Sequence, residues 1–216
     1  MIRALKAMQE GKDPDSLLHT EEIINYFAVH NFLMNYDSYT GMMLHNYYLY
    51  DNGKIEMLPW DYNLSYASFP MDGIYGDEND TTLAVNQGID TPLVCTGAAA
   101  RPMWNWIISD ETYLEQYHRA VDRLIAEQFE SGKIAEELDR IYAVIEPYFE
   151  SGASSFCTLQ ERENGFEVLK ELCRLRASSI RRQLDGKLAK DTGQQNPSDR
   201  VDASAISLDD LNSRAN

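Results

Sequence analysis

Three side chains with oxygen donors follow one another in a short stretch of this sequence, in the order carboxylate, amide, carboxylate. They are Asp37, Asn46 and Asp61, and a second amide, Asn63, comes two positions later. Oxygen ligands of this kind suit Mg²⁺, and a carboxylate beside a bound metal can act as a general base. The stretch therefore predicts metal-assisted chemistry.

The same order of groups serves phosphoryl transfer in protein kinases. There a catalytic Asp, a metal-binding Asn, a β-hairpin and a metal-binding Asp follow one another along the chain. The spacing differs, because kinases place fewer residues between the base and the amide than lie between Asp37 and Asn46. An acidic protein needs a bridging Mg²⁺ to hold the phosphates of a nucleotide.

Each of these residues also has a structural interpretation. Asp37 and Asn46 are of types that form turns and loop caps, and Asp61 could accept hydrogen bonds from backbone N–H groups. Their order around a predicted hairpin favours the chemical interpretation without deciding it. His30 and His45 have no metal-ligand spacing, and His45 fits packing or hydrogen bonding better than metal binding.

A β-hairpin is predicted between Asn46 and Pro59. Two β-prone runs, residues 46–50 and 55–58, flank an Asn52-Gly53 pair, which is a strong hairpin signal because both residue types tolerate positive φ.

The hairpin positions the candidate residues. If it is centred between Asn52 and Gly53, Asn46 lies opposite Pro59, and Asp61 follows just beyond the end of the strand pair. Asp37 is expected to enter the same neighbourhood from a preceding helix. The three side chains should therefore meet at one end of the hairpin.

Helices are predicted elsewhere from apolar residues at helical spacing. The stripes cover residues 20–35, a segment beginning at Ser109 and ending near 125, residues 134–145 as far as Pro147, and residues 166–184. The fold class is thus α+β and mainly helical. The apolar pattern stops after Gly186, which predicts a polar, disordered tail over residues 187–216.

Composition excludes several function classes. The chain has 216 residues, 35 acidic and 19 basic, for a net charge of −16. Such a charge repels phosphate backbones, so we expect no nucleic-acid partner. No stretch reaches the ~18 apolar residues of a membrane span, and the start of the chain lacks a signal-peptide pattern, so we expect no membrane insertion. Three scattered cysteines form neither a disulfide framework nor a zinc motif.

Longer runs around the candidate residues resemble the spore-coat protein H (CotH) kinase-like family. The resemblance covers roughly residues 1–185. It is most specific in residues 26–33, at Asp37, and in residues 45–50 and 58–63, and weaker in residues 101–105, 113–118 and 176–184.

The resemblance implies a role for each candidate residue. Asp37 matches the catalytic Asp of this atypical protein-kinase-like family, and Asn46 and Asp61 match the residues that bind Mg²⁺ (or Mn²⁺) and its ATP. Many relatives carry an Asp where this chain has Asn63, so a second metal ion would bind more weakly, because an amide adds no charge.

The resemblance also implies an architecture and a biological setting. Residues 1–186 would be the C-terminal lobe of the kinase-like domain, without the N-terminal lobe that covers the nucleotide. The acceptor would be Ser or Thr of a protein such as a coat or surface protein, and the location a spore coat or bacterial cell surface. The alternative is a non-catalytic binding or assembly module derived from a kinase lobe.

Overall fold

The computed structural model describes residues 2–10, 12, 14–68, 81–149 and 157–211. Its helices and strands are α1 (Ile2–Gln9), α2 (Thr20–Leu33), β1 (Tyr47–Asp51), β2 (Ile55–Pro59), α3 (Thr81–Val85), α4 (Pro102–Ser109), α5 (Glu111–Leu124), α6 (Lys133–Phe149) and α7 (Leu159–Leu184). A π-helical segment, Ile125–Glu130, precedes α6. The predicted class, α+β and mainly helical, is confirmed. Within the described ranges, no helix is both long and apolar enough to cross a membrane.

The chain divides into two compact units. The first comprises Met1–Ile74 and Ile89–Leu124, and the second comprises Tyr75–Gly88 and Ile125–Asn216. All the candidate site residues belong to the first unit.

Helix α2 is the centre of the first unit. It is apolar on most of its faces, as expected of a helix surrounded by other elements, and Ile23, Phe27 and Phe32 are almost completely buried. The Phe27 ring lies 5.2 Å from that of Trp104 on α4, which in turn meets Tyr117 of α5 edge-on at 5.0 Å. The helix that precedes the candidate site is therefore held firmly by its packing.

The hairpin is present, but its register differs from the predicted one. Tyr47 pairs with Pro59 and Asp51 with Ile55, so the turn is centred on Gly53 and contains three residues. Gly53 has a φ of 116°, and its N–H donates to the Asp51 side chain at 3.2 Å. A three-residue turn with glycine at positive φ replaces the expected two-residue turn.

Two helix boundaries also differ from the prediction. Helix α5 is capped by Asp110 rather than Ser109, because the Asp110 carboxylate accepts hydrogen bonds from the N–H groups of Thr112 at 2.8 Å and Tyr113 at 3.4 Å. Helix α6 continues through Pro147 to its end at Phe149. A proline in the last turn removes one intrahelical hydrogen bond and leaves little helix beyond it to disrupt.

Helix α7 organises the second unit. Thr158 caps it in a capping box with Glu161, in which each side chain bonds the other residue's backbone N–H. Further along, the buried Arg176 side chain donates through Nη1 to the carbonyl oxygens of Val85 at 3.0 Å and Gln87 at 2.7 Å. The guanidinium therefore satisfies carbonyls at the end of α3 that have no partner within that helix.

Residues 187–211 pack into the second unit, unlike the disordered tail that the sequence predicts over residues 187–216; residues 212–216 lie outside the described residues. Leu188, Ala203 and Leu208 are almost completely buried in the second unit. The Asn86 amide donates to the Val201 carbonyl at 2.7 Å and accepts from the Val201 N–H at 2.9 Å. A few buried apolar side chains and specific hydrogen bonds hold this polar segment in place. The prediction of disorder rested on average composition, which reveals neither feature.

We predict that Leu208→Ala lowers the free energy of unfolding by about 2–5 kcal/mol, because it leaves a cavity at a completely buried site. Urea denaturation measures the change. Asp210→Ala, at an exposed position in the same short segment, is the matched control and should change stability by less than about 0.5 kcal/mol. Equal effects of the two substitutions would show that this segment does not pack as described.

Candidate functional site

The first two candidate residues, Asp37 and Asn46, are in direct contact. The Asn46 side-chain Nδ2 donates to Oδ2 of Asp37 at 2.8 Å, and the Ser38 hydroxyl donates to the Asn46 carbonyl oxygen at 3.3 Å. The Asp37 side chain is 15% exposed, and its Oδ1 lies 3.8 Å from Nδ1 of His45. The structure thus joins the predicted base to the predicted metal-binding amide.

The orientation of the Asn46 amide has a chemical consequence. An ionised carboxylate only accepts hydrogen bonds, so the atom facing Asp37 must be the amide nitrogen. The amide oxygen is then the atom of Asn46 that remains for a cation. Oxygen atoms are what Mg²⁺ requires, so the donor set fits this metal.

Asp61 is tied to the same end of the hairpin through the backbone. The N–H of Trp60 donates to the Asn46 carbonyl oxygen at 3.2 Å, and Asp61 is the next residue. Asn63 is exposed in the short 3₁₀ turn Tyr62–Leu64 that follows. Among the described residues, no three His, Cys, Asp or Glu side chains form a metal-binding cluster. Such a site therefore depends on amide oxygens, water and substrate phosphates as well as carboxylates.

The backbone is strained at these positions. Leu44, Asn46 and Asp61 have φ values of 55°, 57° and 52°, in the left-handed region. Asn and Asp tolerate this region better than other residues with side chains, whereas the same backbone conformation has a higher energy at leucine. Strain of this kind persists only where the surrounding structure enforces it, and it is concentrated at functional sites.

The loop that carries Asp37 is closed tightly. A Cβ atom at Gly41 would overlap the backbone carbonyl of Tyr36, so only glycine fits there. Arg101, which is 5% exposed, donates through Nε to the Tyr39 carbonyl and through Nη2 to the Gly41 carbonyl, each at 2.7 Å. The guanidinium therefore holds the backbone of this loop, a role that no spacing in the sequence reveals.

A buried histidine contacts both segments of the site. His30 of α2 lies 2.6 Å from the Tyr62 hydroxyl through Nδ1 and 2.9 Å from the Thr40 hydroxyl through Nε2. Its complete burial lowers its pKa to about 3, so the ring is neutral at pH 7. Burial also raises the pKa of Tyr62 above its ordinary value. Both ring nitrogens face hydroxyl groups, in agreement with the absence of metal-ligand spacing.

A groove of about 650 Å³ runs between α2 and the end of the hairpin. Its lining includes apolar side chains such as Val29, Met57 and Trp60, together with the acidic Glu22 and Asp61. The Trp60 side chain is 59% exposed and meets the Tyr48 ring edge-on at 5.7 Å. Asp61 therefore borders a concave surface of the size typical of ligand sites.

Comparison with known proteins identifies one family. The model of the family described as CotH kinase protein matches residues 1–180 of the chain. No curated protein and no solved structure matches the chain. The matched range contains all four candidate residues and agrees with the resemblance seen in the sequence.

We predict that Gly41→Ala lowers the free energy of unfolding by about 1–3 kcal/mol, because the loop must open to admit the methyl group. Gly97→Ala is the matched control, since a Cβ there meets nothing within 4 Å. Chemical denaturation of both variants measures the difference. A Gly41→Ala protein as stable as the control would contradict the tight closure of the loop.

A second prediction follows from the neutral His30. Below about pH 6.5 the unfolded chain binds a proton at this residue that the native protein does not bind. As the pH is lowered, this difference at His30 alone reduces the free energy of unfolding by about 1.4 kcal/mol per pH unit, until the pH approaches the native pKa of about 3. The free energy of unfolding is measured from pH 6.5 to 4.5 in the wild type and in His30→Gln, which has no titrating group at this position. Its dependence on pH should be less steep in His30→Gln, by up to the slope given above. Parallel curves for the two proteins would disprove the prediction.

Proposed function

Because the chain belongs to the CotH kinase protein family, we propose that it transfers the γ-phosphoryl group of ATP to a Ser or Thr hydroxyl of a protein, with Mg²⁺ or Mn²⁺ as cofactor. The observation that carries the proposal is the 2.8 Å hydrogen bond between Asn46 and Asp37, next to the backbone that presents Asp61. Family membership supports a kinase-like function, and this geometry supports the detailed reaction.

Asp37 is the proposed catalytic residue. Its carboxylate is partly buried and oriented by the Asn46 amide, so it can accept a hydrogen bond from the acceptor hydroxyl. The hydroxyl oxygen forms the new bond to the γ-phosphorus as the bond from that phosphorus to the leaving ADP oxygen breaks, and Asp37 accepts the hydroxyl proton. In such a reaction, positioning contributes more than covalent participation by the protein.

The proposed metal ligands are Asp61 and the side-chain oxygens of Asn46 and Asn63. A bound Mg²⁺ would neutralise charge on the phosphates of ATP, which an acidic protein would otherwise repel. Asp61 contributes the full negative charge of this set. The neutral Asn63 amide would support a second ion only weakly.

The acceptor is proposed to be a protein, such as a component of a spore coat or of a bacterial cell surface. This part of the proposal rests on the resemblance to the family. The groove beside Asp61 supports it, because apolar side chains next to a site of this kind provide contact area for a polypeptide segment.

We predict that titration calorimetry detects ATP binding to the chain in the presence of Mg²⁺ or Mn²⁺. Asp61→Ala should weaken binding by at least about 10-fold, because the metal loses its charged ligand. Asp37→Asn should retain binding and lower the rate of phosphoryl transfer by about 10²–10⁴-fold. Glu115→Ala, an exposed carboxylate on α5, is the control and should affect neither quantity.

Two results would contradict the proposal. One is a folded wild-type chain that binds no ATP with either metal. The other is an Asp61→Ala protein that binds ATP as tightly as the wild type.

A further inference from the structure

His30 connects the two segments that carry the candidate site residues. Its Nε2 contacts the hydroxyl of Thr40, in the loop that begins with Asp37, at 2.9 Å. Its Nδ1 contacts the hydroxyl of Tyr62, the residue after Asp61, at 2.6 Å. Opposite sides of a single ring thus contact both segments.

The chemistry of a neutral imidazole makes this connection specific. A neutral ring has one N–H and one bare nitrogen, so it must donate to one of the two hydroxyls and accept from the other. Hydroxyl groups can do either, and both contacts are therefore satisfied in a ring that is completely buried. A ring is rigid, so these two hydrogen bonds define how far apart Thr40 and Tyr62 lie.

Tyr26 restrains the same ring from another side. Its own ring stacks on His30 with centroids 5.2 Å apart and planes inclined by 12°. The Tyr26 hydroxyl also accepts a hydrogen bond from Tyr62 at 3.4 Å. Both Tyr26 and His30 belong to the central helix α2, which is held by its packing. The position of the imidazole is therefore set by the most deeply buried helix of the unit.

We infer that His30 is a positioning residue, which sets the separation between the segment of Asp37 and the segment of Asp61. It contacts neither substrate nor metal and acts through Thr40 and Tyr62. Its effect on the reaction rests on the proposed function, since it requires that Asp37 and Asp61 work on the same phosphoryl group. An error of about 1 Å in such an arrangement can cost about 10²-fold in rate.

Removing one hydroxyl at a time tests this inference while leaving His30 in place. Tyr62→Phe and Thr40→Val each break one of the two contacts with little change of shape, and His30→Phe breaks both while keeping a ring against Tyr26. Ile24→Val is the control, because Ile24 is buried in the same helix but makes no side-chain hydrogen bond. Hydrogen exchange is measured at the backbone amides of residues 37–41 and 62–66, and kcat and KM for ATP are measured on the same proteins.

We expect backbone amide exchange to become at least about 10-fold faster at residues 62–66 in Tyr62→Phe and at residues 37–41 in Thr40→Val. We expect no such change in Ile24→Val. We expect kcat to fall by at least about 10-fold with KM for ATP changed by less than about 3-fold, because positioning affects the reacting groups more than nucleotide binding. A purely structural role for His30 would lower stability as Ile24→Val does, without this separation of kcat from KM.

Other results overturn the inference. If both single-hydroxyl variants exchange at the wild-type rate, His30 does not hold the two segments, whatever the activity. If exchange quickens while kcat stays at the wild-type value, His30 does not position the reacting groups. A wild-type chain without phosphoryl transfer would instead refute the proposed function, and the exchange rates would still decide whether His30 holds the segments. Should His30→Phe fail to fold, the two hydroxyl variants provide the test by themselves.

Discussion

The candidate site depends on one constraint, which is that a buried, irregular loop must have its backbone polar groups paired. Residues 38–41, which follow Asp37, are almost completely buried yet form neither helix nor strand. Arg101 supplies the missing donors for the carbonyls of Tyr39 and Gly41. His30 satisfies the hydroxyl of Thr40 in the same loop. Because these partners, one in α2 and one immediately before α4, are buried in the core, the loop has a defined conformation and presents Asp37 in a defined place.

The second unit uses the same physical solution at a different position. Arg176, buried in α7, donates to the carbonyls of Val85 and Gln87, and Asn86 between them pairs with Val201. A buried guanidinium is costly unless its donors are satisfied, and carbonyl oxygens can accept hydrogen bonds from them. In both units, a buried arginine therefore donates hydrogen bonds to backbone carbonyls.

Much of the candidate site could be predicted from the sequence, because the arrangement of its residues around the hairpin depends on local patterns. The hairpin follows from β-prone runs around Asn52-Gly53, and its open end, opposite the turn, brings Asn46 and the backbone before Asp61 together. The register could not be predicted, because the choice between a two-residue and a three-residue turn depends on hydrogen bonds such as that from Gly53 to Asp51. That residues 187–211 adopt a defined structure could not be predicted either, because Leu208 is buried by distant elements rather than by its neighbours in sequence.

The sequence by itself determined the hairpin, the longer helices, the family and the order of the groups that could do chemistry. These properties follow from residue types at short spacings, which local backbone preferences translate directly into helices, a hairpin and turns. Only the tertiary structure decided that Asn46 donates to Asp37, that Arg101 holds the loop between them, and that His30 joins Thr40 to Tyr62. Those contacts join residues that are between nine and 62 positions apart in the chain. They depend on burial, which makes each unpaired polar group costly and which no local pattern contains.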